Sequence, residues 1–250
     1  PVEGIGHYEP LRHYAEVHLL MEPLPRGSGL QFAADCPADK LDLNWQRLIL
    51  THLTEKSHKG VLTGSPITDM KLTLIAGRAH QKHTEGGDFR EATYRAVRQG
   101  LRSAESILLE PQCRFTLTVP AEQLGRALND LQQREAVTEP PDMVAETALL
   151  RGTAALSALR DYPAEVLRYT RGRGHLTWEP DGYAPCRHPE TVIAACGYDC
   201  DADLENTANS VFCSHGAGHT VRWDEVPQMA HIQTNVLKPE EAPPEPPVNR

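Results

Sequence analysis

The chain has 250 residues, a formal net charge of −9, 40% hydrophobic residues and a pI near 5.7, the profile of a globular protein with material for more than one core. That acidity excludes indiscriminate coating of nucleic acid, which depends on neutralising many phosphates, but leaves room for a local RNA contact. No apolar run is long enough to cross a bilayer and no signal-peptide pattern opens the chain, so a cytoplasmic location with the six cysteines mostly reduced is the expectation.

Tyr14, Val17, Leu19 and Met21 alternate with His13, Glu16 and His18, which predicts a half-buried strand over 13–21. Pro23, Pro25, Gly27 and Gly29 then interrupt regular structure. Trp45, Leu48, Ile49 and Leu53 recur on one face of a helix expected over 44–57, with Gly60 as a stop. A strand over 70–76 feeds a polar stretch, Gly77 to Arg90, that reads as a long contact loop carrying His80, Lys82 and His83. Asp88 is expected to cap the next helix, with Glu91 completing a capping box. That helix presents Phe89, Ala92, Ala96, Val97, Leu101 and Ala104 on one face and Arg95, Arg98 and Arg102 on the other, where a solvated surface is the ordinary expectation.

Leu108-Leu109-Glu110-Pro111 ends this region, because proline disfavours helix at the residue before it. Charge divides there as well. Residues 1–109 hold 13 Lys or Arg against 13 Asp or Glu, which leaves 12 against 21 for residues 110–250. A strand over 114–119, a helix over 121–133, extended segments near 137 and over 143–152, a helix over 157–169 and a strand over 175–178 follow. The order β-α-β-β-α-β predicts a ferredoxin-like sandwich of two helices on one antiparallel sheet. Beyond Pro185 the pattern becomes irregular and acidic, and residues 238–250 alternate proline with glutamate, the composition of a disordered tail.

A Gly-x-x-x-x-Gly-Lys-Ser/Thr phosphate loop, a Gly-x-Ser-x-Gly elbow and a His-Glu-x-x-His pair are all missing from the sequence, which argues against a self-contained enzyme. Cys196, Cys200, Cys213 and His215, with His219 nearby, offer soft ligands for zinc within a short span, although ordinary buried thiols account for the cysteines equally well. Arg171-Gly172-Arg173-Gly174 is the densest basic spot of the acidic half. It suits bidentate phosphate contacts, or serves only as a routine helix-to-strand turn.

The segments from Gly6-His7-Tyr8 to Val17, Glu22-Pro23-Leu24-Pro25-Arg26-Gly27-Ser28-Gly29-Leu30-Gln31-Phe32, Ile67-Thr68-Asp69-Met70-Lys71, Ser106 to Pro111, Pro120 to Leu131 and Tyr169 to Gly174 resemble, in this order, the last two domains of elongation factor G and the tetracycline-resistance ribosomal protection proteins. The resemblance covers about residues 6–184, and Ser210 to Gly218 looks like an extension found on some relatives of the protection proteins. It implies an α+β architecture of two α/β sandwiches: a ribosomal protein S5 domain 2-like fourth domain over 1–109 and a ferredoxin-like fifth domain over 110–184. A C-terminal extension over 185–237 and the tail follow.

By the same resemblance, the chain would be a monomeric fragment of a translational GTPase whose missing N-terminal domain holds GTP and magnesium. Its fourth domain would contact decoding-site RNA of the small ribosomal subunit, and its fifth the GTPase-associated region of the large subunit. Carried over by position, Gly4 to Leu11 would form one tip loop, with His7, Tyr8 and Arg12 against RNA, and His80 to Asp88 a second, with His80, Gln81, Lys82, His83 and Thr84 as contacts. Arg171 and Arg173 would meet RNA from the fifth domain. Protection proteins typically carry tyrosine, serine and proline where this chain has His80-Gln81-Lys82-His83, which favours salt-dependent RNA contact over drug release. The competing expectations are a housekeeping translocation factor and a zinc-stabilised accessory module whose acidic C-terminal region binds a protein.

Overall fold

The computed structural model describes residues 1–237, so the predicted disordered tail over 238–250 lies outside the described residues. The chain divides into two compact units, one formed by residues 1–106 with 190–237, the other by residues 107–189. Among the described residues, no helix is long and apolar enough to cross a membrane.

The first unit is built on a six-stranded sheet, to which residues 1–106 contribute four strands and the two long helices. β1 (Val2–Tyr8), β2 (Ala15–Pro23), β3 (Leu30–Ala34), α1 (Leu43–Thr54), β4 (Met70–Ala79) and α2 (Gly86–Ser103) come in chain order. The resemblance implies a tip loop over Gly4 to Leu11, but most of that segment is strand β1. Gly4 and Gly6 are there for closeness rather than for a turn: a Cβ on Gly6 would overlap the Ala92 carbonyl and one on Gly4 the Ala96 carbonyl, so α2 can lie directly on β1. β3, which follows the proline and glycine break, pairs in parallel with β4. The core combines Val17, Leu19 and Met21 of β2, Leu72 and Leu74 of β4, Ile49 and Leu53 of α1, and Phe89, Ala92 and Ala96 of α2.

The residues after 189 do not form a separate, irregular extension. α6 (Pro189–Cys196) and a short 3-10 turn (Leu204–Asn206) precede β10 (Ser210–Ser214), β11 (Ala217–Val221) and α7 (Val226–Met229). β10 pairs in parallel with β1 at Tyr8↔Val211, and β11 closes the edge, giving the order β11-β10-β1-β2-β4-β3. Phe212, Val221 and Val226 join Ile5 in a second small core.

The second unit runs β5 (Leu109–Pro120), α3 (Leu124–Gln133), β6 (Val137–Thr138), β7 (Asp142–Val144), β8 (Thr147–Ala155), α4 (Leu156–Leu159), α5 (Tyr162–Tyr169) and β9 (His175–Pro185). Its sheet order β6-β8-β5-β9, all antiparallel, is the ferredoxin-like arrangement expected from the element order. β9 runs seven residues beyond the predicted strand, and β7 forms a hairpin with β8. Phe115, Leu117 and Val119 alternate inward from β5 onto Ala127 and Leu131 of α3 and Tyr162 and Val166 of α5.

Candidate nucleic-acid interface

β1 ends and β2 begins at one end of the first sheet, where Tyr8 faces Ala15, and β4 ends at the same place, where Ala79 faces Ala15. Two connections therefore project side by side: the turn Glu9 to His13 and the loop His80 to Glu85. The second is six residues long, not the fourteen suggested by its polarity, because β4 continues to Ala79 and α2 already starts at Gly86. The helix cap also differs from expectation. Glu85 is the capping residue and accepts from the Asp88 amide, while the Asp88 carboxylate accepts from the Glu85 amide at 2.8 Å. Glu91 instead pairs with Arg95 one turn on.

The loop is tied down at its base. Tyr14 donates its amide to the His83 carbonyl at 3.1 Å, Thr84 Oγ1 donates to the Tyr14 carbonyl at 2.6 Å, and the His80 amide donates to Thr84 Oγ1 at 2.7 Å. His80 and His83 stack at 4.5 Å between ring centroids. Gln81 and Lys82 are left exposed at the turn, together with His80, and Arg12 is exposed on the neighbouring turn, which Leu11 enters with φ +55°. A fixed backbone that presents amide, imidazole and ammonium groups can meet phosphates or base edges with little loss of loop entropy.

Not every expected contact reaches the surface. Thr84 is spent on the loop's own base, and Tyr8 is half-buried under Arg95, whose guanidinium lies 5.0 Å from the ring. His7 is fully buried and is no RNA contact: it points from β1 into a carboxylate and imidazole network. Its Nδ1 sits 2.6 Å from Glu16 Oε2, its Nε2 sits 3.1 Å from Glu9, and its ring stacks on Phe212 at 3.9 Å.

Glu16 is the centre of that network. It meets His7 and His18, and accepts the backbone amides of His231 at 3.0 Å and Ile232 at 2.7 Å. Burial alone would raise its pKa, yet the hydrogen bonds from His18, His7 and the His231 amide hold it far below the usual carboxylate range. Burial likewise opposes the charge on His18, but Glu16 and Glu3 at 2.9 and 2.7 Å raise its pKa. Glu3 is also lowered against the effect of burial, by His18 and by Thr234, whose hydroxyl donates to it at 2.7 Å. Tyr14 hydrogen-bonds His231 Nδ1 at 3.0 Å, so the residue that anchors the loop is itself held by the C-terminal segment.

The arginines of α2 are covered rather than solvated. Arg98 is 3% exposed and donates to the Lys59 carbonyl at 2.8 Å and the Tyr198 hydroxyl at 2.6 Å. Arg102 lies 4.8 Å from the Trp223 ring and donates to Asp201 at 3.0 Å. Charge at helical spacing signalled a surface, and the signal that could have corrected it was the pair of aromatics, Tyr198 and Trp223, in an otherwise polar segment.

The four zinc candidates do not come together. Cys200 Sγ accepts from Arg102 and Cys196 Sγ donates to the Thr63 carbonyl, both beside the helices, whereas Cys213 and His215 stand on β10 and the turn after it. Among the described residues, one group has metal-ligand geometry, His7, Glu16 and His231, and hydrogen bonds already engage its Glu16 oxygens and both His7 nitrogens.

In the second unit, Arg171 has φ +54° and Gly172 φ +79°, and the Gly172 amide donates to the Leu167 carbonyl, closing α5 with a tight turn. Arg171 is exposed, whereas Arg173 pairs with Glu122 at 2.6 Å. Gly174 cannot be replaced here without displacing Val166 and Thr170, so the turn packs closely on the end of α5.

Residues 5–105 match the family model for elongation factor G, domain IV, and residues 107–191 that for the elongation factor G C-terminus. A tetracycline resistance protein, TetP, from Clostridium perfringens is 29% identical over 170 residues, which is 68% of this chain and 26% of that protein. Elongation factor G 2 from Desulfotalea psychrophila is 28% identical over 182 residues, 72% of this chain and 26% of that protein. The chain thus spans about a quarter of the length of these curated relatives. A crystal structure of a protein from Thermus thermophilus shares the fold, with a TM-score of 0.69 at 24% identity over 78% of this chain and 30% of that one.

Proposed function

The chain belongs to the elongation factor G-like proteins, whose domain IV and C-terminal domain it carries, and we propose that it docks on the ribosome with the tip of its first unit against decoding-site RNA. One observation carries this reading: the loop His80 to Glu85 is fixed at its base to Tyr14 while Gln81, Lys82 and, on the adjoining turn, Arg12 stand free. The second unit contributes Arg171 toward the large-subunit GTPase-associated region. In this reading GTP and its magnesium ion are held by the remainder of a longer protein, and the chain supplies binding rather than chemistry. TetP and elongation factor G 2 are almost equally similar, so kinship does not separate tetracycline protection from translocation. The loop sequence favours RNA contact as the common property.

Co-sedimentation with ribosomes across a salt series tests the proposal. Binding should weaken steeply with salt, and replacing His80 to His83 by alanine should lower both affinity and salt slope. Unchanged binding would remove the loop as a contact. Growth of a strain lacking the gene, with and without tetracycline, decides whether drug release accompanies docking.

A further inference from the structure

The end of the sheet that carries the two tip loops carries a third element, which neither family model covers. β10 runs parallel to β1 and passes it: Tyr8 faces Val211, and β10 continues to Ser214 before β11 returns from Ala217. The hairpin lies against the first tip turn, where the Glu9 amide donates to the Val211 carbonyl at 2.8 Å and the Cys213 amide reaches the Glu9 carboxylate at 3.4 Å. The place of a Cβ on Gly218 is 3.5 Å from Pro10 Cα. His215 at φ +51° and Gly216 at φ +78°, between paired Ser214 and Ala217, make a two-residue type I′ turn, the connection that matches strand twist and leaves the hairpin stiff.

The chemistry of this hairpin differs from that of its surroundings. Residues 206–221 contain no Asp or Glu, although the flanking stretches 199–205 and 222–225 contain six. His215 and His219 are exposed, and Gly216, Ala217 and Gly218 offer no bulk that would keep a partner off the backbone. Val211 and Cys213 turn their backbone groups toward β1 and Glu9, so in an antiparallel ladder their partners Thr220 and Gly218 turn theirs away from β10, to the open edge. Two amides on an exposed edge, flanked by imidazoles and with the nearby Glu9 carboxylate on the opposite, β1 side of the hairpin, form a donor surface suited to an anionic backbone.

We propose that the β10–β11 hairpin is a third finger of the tip, donating from the Gly218 and Thr220 amides and from His215 and His219 to RNA phosphates next to those met by the 80–85 loop. This inference rests on the ribosome-docking reading and extends it to a part of the chain outside the family matches.

The test is filter binding of the full chain to purified small ribosomal subunits over a salt series, with three variants. His215→Glu combined with His219→Glu should weaken binding by about tenfold and reduce the salt slope by about one to two. Gly218→Pro removes one outward amide at an edge where proline is tolerated, and should cost about fivefold, the worth of one hydrogen bond. The third variant, alanine at 80–83, serves as the reference for the loop. If it weakens binding while both hairpin variants leave affinity and slope unchanged, the finger is overturned and ribosome docking stands. If the unsubstituted chain does not bind at all, both fail. Ultraviolet crosslinks that join the hairpin peptide to a ribosomal protein rather than to ribosomal RNA would also overturn the choice of partner.

Discussion

A carboxylate taken out of water persists as an ion only when donors replace the solvent, and Glu16 has four around it: two imidazoles and two backbone amides. Glu16→Gln would turn an amide NH2 toward groups that themselves donate. We expect a loss of about 3 kcal/mol in the urea unfolding of the first unit, with residues 107–189 unaffected. The direction of each pKa shift also sets a pH window. Glu16 and Glu3 are lowered, so their contribution is complete above the ordinary value of 4.5 and is lost as pH falls through their folded values. His18 is raised, so its contribution is complete below 6.5 and is lost as pH rises through its folded value. The urea midpoint of the first unit should therefore be highest between pH 4.5 and 6.5 and decline on both sides. A midpoint that climbs steadily to about pH 8 would show that His18 is not held charged.

Among the elements, α2 shows which physical signals a sequence carries and which it hides. Its apolar face was legible because Phe89, Ala92, Ala96, Val97 and Leu101 repeat at helical spacing, and the same five are buried. Its arginine face was misread. A guanidinium is buried by stacking and by carbonyl acceptors, and the partners of Arg98, Lys59 and Tyr198, lie 39 and 100 residues away along the chain, with Trp223 over Arg102 still farther. β1 differs from expectation for another reason: the resemblance carries a tip loop onto Gly4 to Leu11 by position, whereas Gly4 and Gly6 serve the close approach of α2 to a strand. Tyr198 links this face to the segment beyond α6: its hydroxyl accepts from Arg98 and donates to Asp203 at 2.7 Å, and Asp203 is lowered to about 2 by Asn206 and Tyr198. Tyr198→Ala leaves the Arg98 guanidinium without its stacking ring and one acceptor, and should cost about 2 kcal/mol in a thermal or urea melt of the first unit. A change within about 0.5 kcal/mol would return α2 to the solvated description.

At the scale of the whole molecule, chain continuity and folding unit do not coincide, and that difference can be measured. Residues 107–189 are contiguous and enclose their own core, from Phe115 and Leu117 to Tyr162 and Val166, so the element order alone was enough to read their topology. The first unit is discontinuous: Phe212, Val221 and Val226 close a core on Ile5, and the amides of His231 and Ile232 complete the shell of Glu16. The three core residues Phe212, Val221 and Val226 stand at spacings that fit neither a strand nor a helix period, so the segment reads as an irregular extension. Residues 107–189 expressed alone should fold with a cooperative melt and the circular dichroism of a mixed α/β domain. Residues 1–106 alone keep the larger core but lose the acceptors of Arg98 on Tyr198 and Cys200 and two of the four donors to Glu16. Their hydrogen-exchange protection in β1 and in the amino-terminal half of β2 should fall by at least about tenfold relative to the full chain, while protection in β4 is retained better. Equal protection of β1 in the two forms would mean that residues 190–237 only decorate a sheet that is already complete.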